Sequence, residues 1–351
     1  MIQSVRLQNF RSYIDDSFEF NSGVNIIVGP NASGKTNIIE ALLVASTGSS
    51  YRASDNELIR INQPWARLDV QNDQERRTLK IKRDVNNTKR SYEIGSKVFV
   101  RLPAAQRVPV ILFEPNHLRF LHGSPELRRQ LIDDIIEQID PDFAPLKRRY
   151  VRTLSQRNAL LKQHNSARDQ LFAWNVRLSD LAGQIVTKRL DIINICNKRV
   201  TKLYQTLSHN QKASVVLHYQ SPCDTKHYGD AYLRLLEKQQ DLDIARGFTG
   251  SGPHRDDIRI VLNGFPAAHT ASRGEARSAA LTIKICELQL LEEASHQKPL
   301  LLLDDVFSEL DGARRRALTE VIKGYQTVIT TTDADVVVQH FMDNCHIIPL
   351  S

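Results

Sequence analysis

The stretch GPNASGKTNIIEALL, beginning at Gly29, restricts this chain more than any other. Gly29, Gly34, Lys35 and Thr36 fit the pattern G-x-x-x-x-G-K-[ST]. The apolar run Val24-Asn25-Ile26-Ile27-Val28 before it reads as a strand, and residues from about Lys35 to Ala45 read as a helix. A glycine-rich turn at that junction points backbone N–H groups around an anion, and the helix N-terminus adds partial positive charge. In this pattern Lys35 reaches the β- and γ-phosphates, and the Thr36 hydroxyl binds Mg²⁺. The candidate cradle is Gly29, Pro30, Asn31, Ala32, Ser33, Gly34, Lys35, Thr36 and Asn37.

A phosphate loop of this kind needs acids from elsewhere. LLLLDDV supplies a buried strand that ends in Asp304 and Asp305. Such a strand end lies beside the loop, with Asp304 in the Mg²⁺ shell and Asp305 placed to polarise an attacking water. Lys35, Asp304 and Asp305 are therefore the candidate catalytic residues, and Thr36 and Asp304 the candidate metal ligands.

Between these halves the pattern changes. The N-terminal part reads as short strands: IQSVRLQNF, YIDDSFEF, VNIIVG, LKIKR and VPVILF. At Ser124-Pro125-Glu126 a helix starts, with a capping serine and a proline at the first position. Leu127, Leu131, Ile132, Ile135, Ile136 and Ile139 recur at helical spacing, and Pro141 and Pro145 break that helix. Leu171, Trp174, Leu178, Leu181 and Ile185 form a heptad-like seam that fades at Lys188, as in a packed helical hairpin. SVVLHY returns to strand, and a helix follows from about Tyr232 to Gln240. From Gly247 onward a glycine-rich turn (FTGSGPHRDD), the strand IRIVLNG, a helix from Arg277 to Ala294 and later strands read as α/β. The helical block is thus inserted between two halves of one α/β domain.

Charge is uneven. The chain carries a net +7, yet residues 141–212 hold 14 Lys and Arg against 4 Asp and Glu. The rest of the chain is then net negative, so the basic character belongs to one segment, either a polyanion contact or a solvated helical face. Lys147, Arg148, Arg149 and Arg152 there, and Arg76, Arg77, Lys80, Lys82 and Arg83 in the N-terminal β region, are the candidate nucleic-acid contacts, with adjacent Arg76 and Arg77 unable both to face one groove. No base-reading motif is present, so contacts would be to phosphates, salt-dependent and without sequence preference. Cys196, Cys223, Cys286 and Cys345 form no CxxC pair, which argues against a zinc site or disulfide framework. No apolar run nears the ~20 residues that span a bilayer, and the first residues lack an apolar core for a signal peptide.

Several motifs together carry a resemblance. Ser272-Arg273-Gly274-Glu275 before a long helix resembles the signature motif of ABC-type ATPases, and SELD at Ser308 to Asp311 resembles their D-loop. Thr330-Thr331-Thr332 occupies the switch position, where many relatives carry histidine. With NFRSY at Asn9 to Tyr13, FEPNHL followed by HGSPELRRQLID, GSGPHRDDI and LLLDDVFSELD, the chain resembles the RecF family over nearly its whole length. That family comprises bacterial recombination-repair ATPases related to the structural-maintenance-of-chromosomes proteins.

The resemblance implies an α/β fold: an ABC-type P-loop ATPase head, a mixed sheet with an N-terminal β subdomain, carrying an inserted helical domain. The expected divisions are 1–123, 124–245 for the insert, and 246–351. It implies ATP and Mg²⁺ as cofactors, and an ATP-dependent homodimer in which Ser272 and Gly274 of one chain meet the γ-phosphate held by the other. It further implies a clamp on duplex DNA or single/double-strand junctions, partnership with RecR and RecO in loading RecA at gaps, and support of replication restart and SOS induction. Slow, DNA-stimulated ATP hydrolysis would release the clamp, and a cytoplasmic, membrane-free setting follows. Arg11 and Ser12 lie near the nucleotide in relatives, so Arg11 is either a phosphate contact or a surface arginine on a turn. His254-Arg255-Asp256-Asp257 is structural or DNA-facing rather than catalytic, since nothing pairs His254 with a nucleophile.

Three positions depart from the family pattern: Ala32 stands for glycine, Pro115-Asn116-His117 for Pro-Glu-Asp, and Glu275 for glutamine. Asp305 is one methylene shorter than the usual glutamate, which suits slow turnover. Other readings are a nucleotide-gated scaffold with negligible turnover and an ABC-type subunit of another complex. A transporter subunit would need neither the basic insert nor GPHRDD. The insert of about 120 residues is short for a cohesin-like arm.

Overall fold

The first strand shows how the sequence is used. In β1 (Ile2–Phe10) the residues Ile2, Val5, Leu7 and Phe10 are buried, which a strict alternation would not allow. A register shift between Ile2 and Ser4, and a left-handed backbone at Asn9 (φ 49°), realign the strand so that all four face inward. The chain continues through β2 (Tyr13–Glu19), β3 (Val24–Val28), α1 (Lys35–Thr47), α2 (Asp55–Leu58), β4 (Trp65–Asn72), β5 (Arg76–Arg83), β6 (Thr88–Ile94), β7 (Lys97–Phe99) and β8 (Val110–Phe113). This computed structural model describes residues 1–84, 87–163, 168–333, 337–341 and 345–350.

The chain divides into two compact units, one joining residues 1–117 to 287–351 and the other spanning 118–286. In the second unit come α3 (Pro125–Ile139), α4 (Phe143–Leu161), α5 (Arg168–Asn197), α6 (Val200–Ser208), β9 (Val215–Gln220), α7 (Tyr228–Lys238), α8 (Gln240–Arg246), β10 (Asp257–Leu262), β11 (Phe265–Pro266) and α9 (Ala267–Thr270). Helix α10 (Arg273–Ser295) carries the chain back to the first unit, where β12 (Leu300–Asp304), α11 (Val306–Glu309), α12 (Gly312–Ile322), β13 (Thr327–Thr331) and β14 (Cys345–Pro349) follow.

The first unit holds two sheets. One is antiparallel, in the order β2-β1-β4-β5-β6-β7; the other is parallel, in the order β14-β3-β13-β12-β8. Helix α1 is buried along most of its length, including Ile38, Ile39 and Leu42, and shares one apolar cluster with residues of both sheets. A helix apolar on nearly all sides belongs inside a core, and this one sets the phosphate loop at its N-terminus against the parallel sheet.

In the second unit, α4 packs along α5 and α5 along α7. Leu171, Leu178, Leu181 and Ile185 are buried as the seam predicts, with Trp174 half-buried. Three details differ from the sequence reading. Leu127 is 46% exposed rather than inward. Helix α3 ends at Ile139, ahead of Pro141 as read, but Pro145 takes no part in the break: it lies in the first turn of α4, where an N–H has no helical acceptor to lose. Residues 246–286, grouped above with the C-terminal α/β part, cluster with the helical unit. The reason is strand pairing: β10 pairs antiparallel with β9, giving a three-stranded sheet β11-β10-β9 separate from the parallel one.

The turn before β10 ties this unit together. Thr249 is held by Arg157 and Asn158, Ser251 O accepts from Tyr232, Pro253 O from Arg189, and Asp256 from Tyr219 and Tyr228. His254 Nδ1 meets the Tyr150 hydroxyl at 2.7 Å, and burial pushes its imidazole down to about 4. Gly252 has φ +121°, and a Cβ there would lie 2.3 Å from the Tyr232 oxygen. The GPHRDD segment is therefore a structural hub, one of the two roles, structural or DNA-facing, left open for it.

Candidate active site

The parallel sheet places the loop and the acids one strand apart, not side by side. Strand β13 runs between β3, which feeds the loop, and β12, which ends in Asp304. The acid still reaches the loop: Thr36 Oγ1 donates to Asp304 Oδ1 at 3.0 Å, and Thr330 Oγ1 from β13 donates to the same oxygen at 2.7 Å. The backbone N–H of Asp305 donates to Thr330 Oγ1 and O. Thr330 thus joins the two halves.

Around the loop, Lys35 Nζ donates to the carbonyls of Gly29 and Pro30, each at 2.7 Å. Burial lowers its ammonium pKa, and the charges of Asp305 and Asp304 oppose that. Gly29 is needed for close approach: a Cβ there would lie 2.7 Å from Ser33 Oγ and 2.8 Å from Leu350 O. Gly34 is left-handed (φ +99°), and a Cβ would lie 2.6 Å from the Tyr13 hydroxyl. Ala32 is left-handed too (φ 68°), which explains why glycine suits that position. Pro30, Asn31 and Ala32 are exposed at the tip, where backbone can meet a ligand.

Three buried polar atoms here have no partner among the described residues: Tyr13 Oη, Ser33 Oγ and Asp305 Oδ1. Unpaired buried groups cost free energy, so these three atoms are open to a polar partner beside the loop. The donors Thr36 Oγ1 and Asp304 are hard oxygens, the set Mg²⁺ takes in partnership with phosphate oxygens. Asp305 adopts a left-handed backbone (φ 51°) at the start of α11. Burial raises its carboxyl above the usual range; a Ser308 hydrogen bond opposes this and Asp304 adds to it.

Arg11 does not point at the phosphate site. Its Nε and Nη2 bind Glu40 at 2.7 and 2.9 Å, and its Nη1 donates to Glu57 O. Glu40 is fully buried and also accepts from Arg52 and Ser50. Burial would raise its carboxyl; the hydrogen bonds outweigh that and hold it below the usual range. Arg52 further donates to Asn37 Oδ1, and Asn37 Nδ2 to Ser12 Oγ, so the network borders the end of the loop. Glu40, Ser50 and Arg52 were missed in the sequence; the one signal was a single acid in the apolar run IIEALL.

Ser272 and Gly274 lie in the second unit at the start of α10. Ser272 Oγ donates to Glu275 Oε2 at 2.8 Å and accepts from Glu275 N, a reciprocal cap. Pro115-Asn116-His117 opens a short helical turn in which His117 Nδ1 accepts from Glu114 N.

The basic candidates fall into two sets. On β5, Arg76 pairs with Asp69 at 3.3 Å and Lys80 with Glu93 at 2.5 Å, while Lys82 is exposed opposite Trp65 on one side and Lys89 on the other. Arg77 lies on the other face, bound to Glu75. On α4, Lys147 pairs with Glu137 and Asp133, while Arg148, Arg149 and Arg152 are exposed without a carboxylate partner among the described residues.

The chain matches the AAA domain family over residues 4–246. It is 34% identical over 349 residues to the DNA replication and repair protein RecF of Bacillus subtilis (strain 168), covering 95% of this chain and 94% of that protein. Its structure is similar to that of the recombination mediator protein RecF-ATPrS in the RecFOR pathway, with a TM-score of 0.87 and 27% identity, covering 100% of this chain and 97% of that one. An Smc head bound to the C-winged helix domain of ScpA shares the fold at a TM-score of 0.52 and 18% identity, covering 97% and 91% of the two chains. The fold is thus that of an ABC-type ATPase head, and a likeness that runs almost end to end places the chain in the RecF family of DNA replication and repair proteins.

Proposed function

We propose that this chain binds ATP in the Gly29–Asn37 loop, pairs with a second copy through Ser272 and Gly274, and holds duplex DNA in recombinational repair until slow hydrolysis releases it. The observation that supports this reading is the 3.0 Å bond from Thr36 to Asp304, because it brings together the loop and the strand-end acid, two segments far apart in sequence that the reading needs at one metal. Lys35 gives up two carbonyls to reach phosphate. Backbone N–H groups of the loop and the N-terminus of α1 orient the triphosphate. Thr36 and Asp304 would hold Mg²⁺, which when bound offsets charge on the phosphate oxygens. Asp305, with a raised pKa and one unpaired oxygen, takes the proton of an attacking water. Burial of that base beside Asp304 favours slow turnover.

ATP bridging two chains favours the dimer by mass action, and loss of the γ-phosphate removes the bridge. For DNA, the exposed Lys82 is directly opposite Lys89, whose charge Asp84 already meets at 2.6 Å, so Lys82 is the cation of that pair offered to a phosphate. The neighbouring Arg76 and Lys80 extend that face. The arginines of α4 are the second candidate surface. Cooperation with RecR and RecO in loading RecA at gaps, in the cytoplasm, belongs to the same reading, supported by the likeness to a RecFOR-pathway protein.

Light scattering with ATP and duplex DNA tests this, comparing wild type with Lys35→Met. The variant is expected to lose both dimer and DNA complex. A Ser272→Arg chain that dimerises with unchanged ATP dependence sinks the shared-site reading.

A further inference from the structure

The threonines at the switch position do two different jobs. Thr331 Oγ1 donates to Asp333 O at 3.0 Å and accepts from Asp333 N at 3.1 Å, which closes its own turn. Thr330, fully buried at the end of β13, is bonded to the acids instead. In the parallel ladder it is opposite Asp304 of β12 on one side and Ile27 of β3 on the other. Its Oγ1 accepts from Asp305 N at 3.0 Å and donates to Asp304 Oδ1 at 2.7 Å. An amide can only donate and a carboxylate can only accept, so the direction of this short chain of bonds is fixed. Thr36 Oγ1 donates to the same Asp304 oxygen at 3.0 Å. Packing does not call for the Thr330 hydroxyl: Val328 and Ile329 precede it in the strand, and a valine would fill the same space.

We propose that Thr330 is a positioning residue that sets how tightly the nucleotide site holds Mg²⁺, by fixing the carboxylate of Asp304. This role rests on the ATP site proposed above. With two hydroxyls on one oxygen, the carboxylate cannot rotate without breaking both bonds. Thr36 is itself offered to the metal, so Thr330 is the restraint on Asp304 that is not also a ligand. Branching at Cβ limits the rotamers of Thr330, and burial leaves water no access to compete for its hydroxyl. Outer partners that orient a ligating side chain tune metal affinity by about 10–100-fold. The same hydroxyl holds the N–H of Asp305, whose backbone is left-handed (φ 51°), so one atom sets both the metal ligand and the base. Without that hydroxyl, Asp305 N still has the Thr330 carbonyl at 3.2 Å, so the loss falls first on the metal end and not on the fold.

The test is a fluorescence titration of the full chain with mant-labelled ATP, once in EDTA and once in excess Mg²⁺. The ratio of the two Kd values is the affinity gained from the metal. The parent is expected to bind more tightly with Mg²⁺. Thr330→Val is expected to lose about tenfold of that gain. In EDTA it should match the parent within about twofold, because the loop's own contacts to phosphate do not involve Thr330. Thr330→Ser keeps a hydroxyl and should restore the gain. Phosphate release across a Mg²⁺ titration should follow the same order, with the half-point moved up in Thr330→Val and not in Thr330→Ser. Should circular dichroism show Thr330→Val unfolded, Thr330→Ala takes its place with the same expected outcome. A parent without saturable binding, or without a gain from Mg²⁺, overturns the ATP site and this role with it. A parent that gains while Thr330→Val gains as much overturns the Thr330 role alone. So does a loss of equal size in EDTA and in Mg²⁺, or a loss of the gain in Thr330→Ser.

Discussion

At the scale of single residues, the site is built around charges that burial would otherwise forbid. Asp305 is the clearest case. Its carboxyl is raised in the fold, so its stabilising contribution is complete below the unfolded carboxylate pKa of about 3.9 and is lost as pH climbs through the folded value. At neutral pH the ionised side chain therefore destabilises. Asp305→Asn should melt higher than the parent at pH 7, with the gap closing as pH falls toward about 4, and hydrolysis should drop by about 10²-fold or more. Scanning fluorimetry at several pH values, paired with phosphate release, checks both; a gap insensitive to pH contradicts the assignment. Glu40 works the other way. Replacing it with alanine leaves Arg11 and Arg52 without their buried partner and should cost about 3–5 kcal/mol in urea unfolding. A cost under about 1 kcal/mol, the range of surface pairs, would mean that both arginines are solvated.

Elements were legible where the chain announces itself locally. Ser124 caps α3 by accepting from Leu127 N, as its sequence position indicates. The loop between β3 and α1, and the acids closing β12, were also readable, because spacing along one segment defines each. What was not readable depends on which segments meet. Arg11 lies in the β1–β2 turn and Glu40 inside α1, and nothing local announces their bond. The pairing of β10 with β9 is equally silent, since an apolar strand does not name its neighbour. At α10 the reciprocal cap makes its own prediction. Glu275 holds the Ser272 hydroxyl and adds negative charge where a phosphate is proposed to arrive. Glu275→Gln keeps a capping oxygen, so the helix should lose less than about 1 kcal/mol, and dimers should form at lower ATP. Light scattering across an ATP titration reads this; an unchanged or higher requirement counts against the role given to Ser272.

Across the whole molecule, charge and exposure are divided between two surfaces of different character. If the β5 face meets duplex, Lys82→Ala should weaken binding equally on all sequences and reduce the slope of log K against log salt by about 1. Titrations from low to moderate salt measure it, and a loss that depends on sequence would contradict a phosphate contact. The tryptophans are divided as well. The chain has two, Trp65 on the exposed face beside Lys82 and Trp174 half-buried on α5, so each unit holds one. Their emission is a built-in pair of optical labels. With Trp174 changed to phenylalanine, the remaining signal reports on the sheet and should quench when duplex arrives; with Trp65 changed instead, it follows the helical unit. Denaturation traces from these two single-tryptophan chains would assign every spectral transition to its own half of the polypeptide.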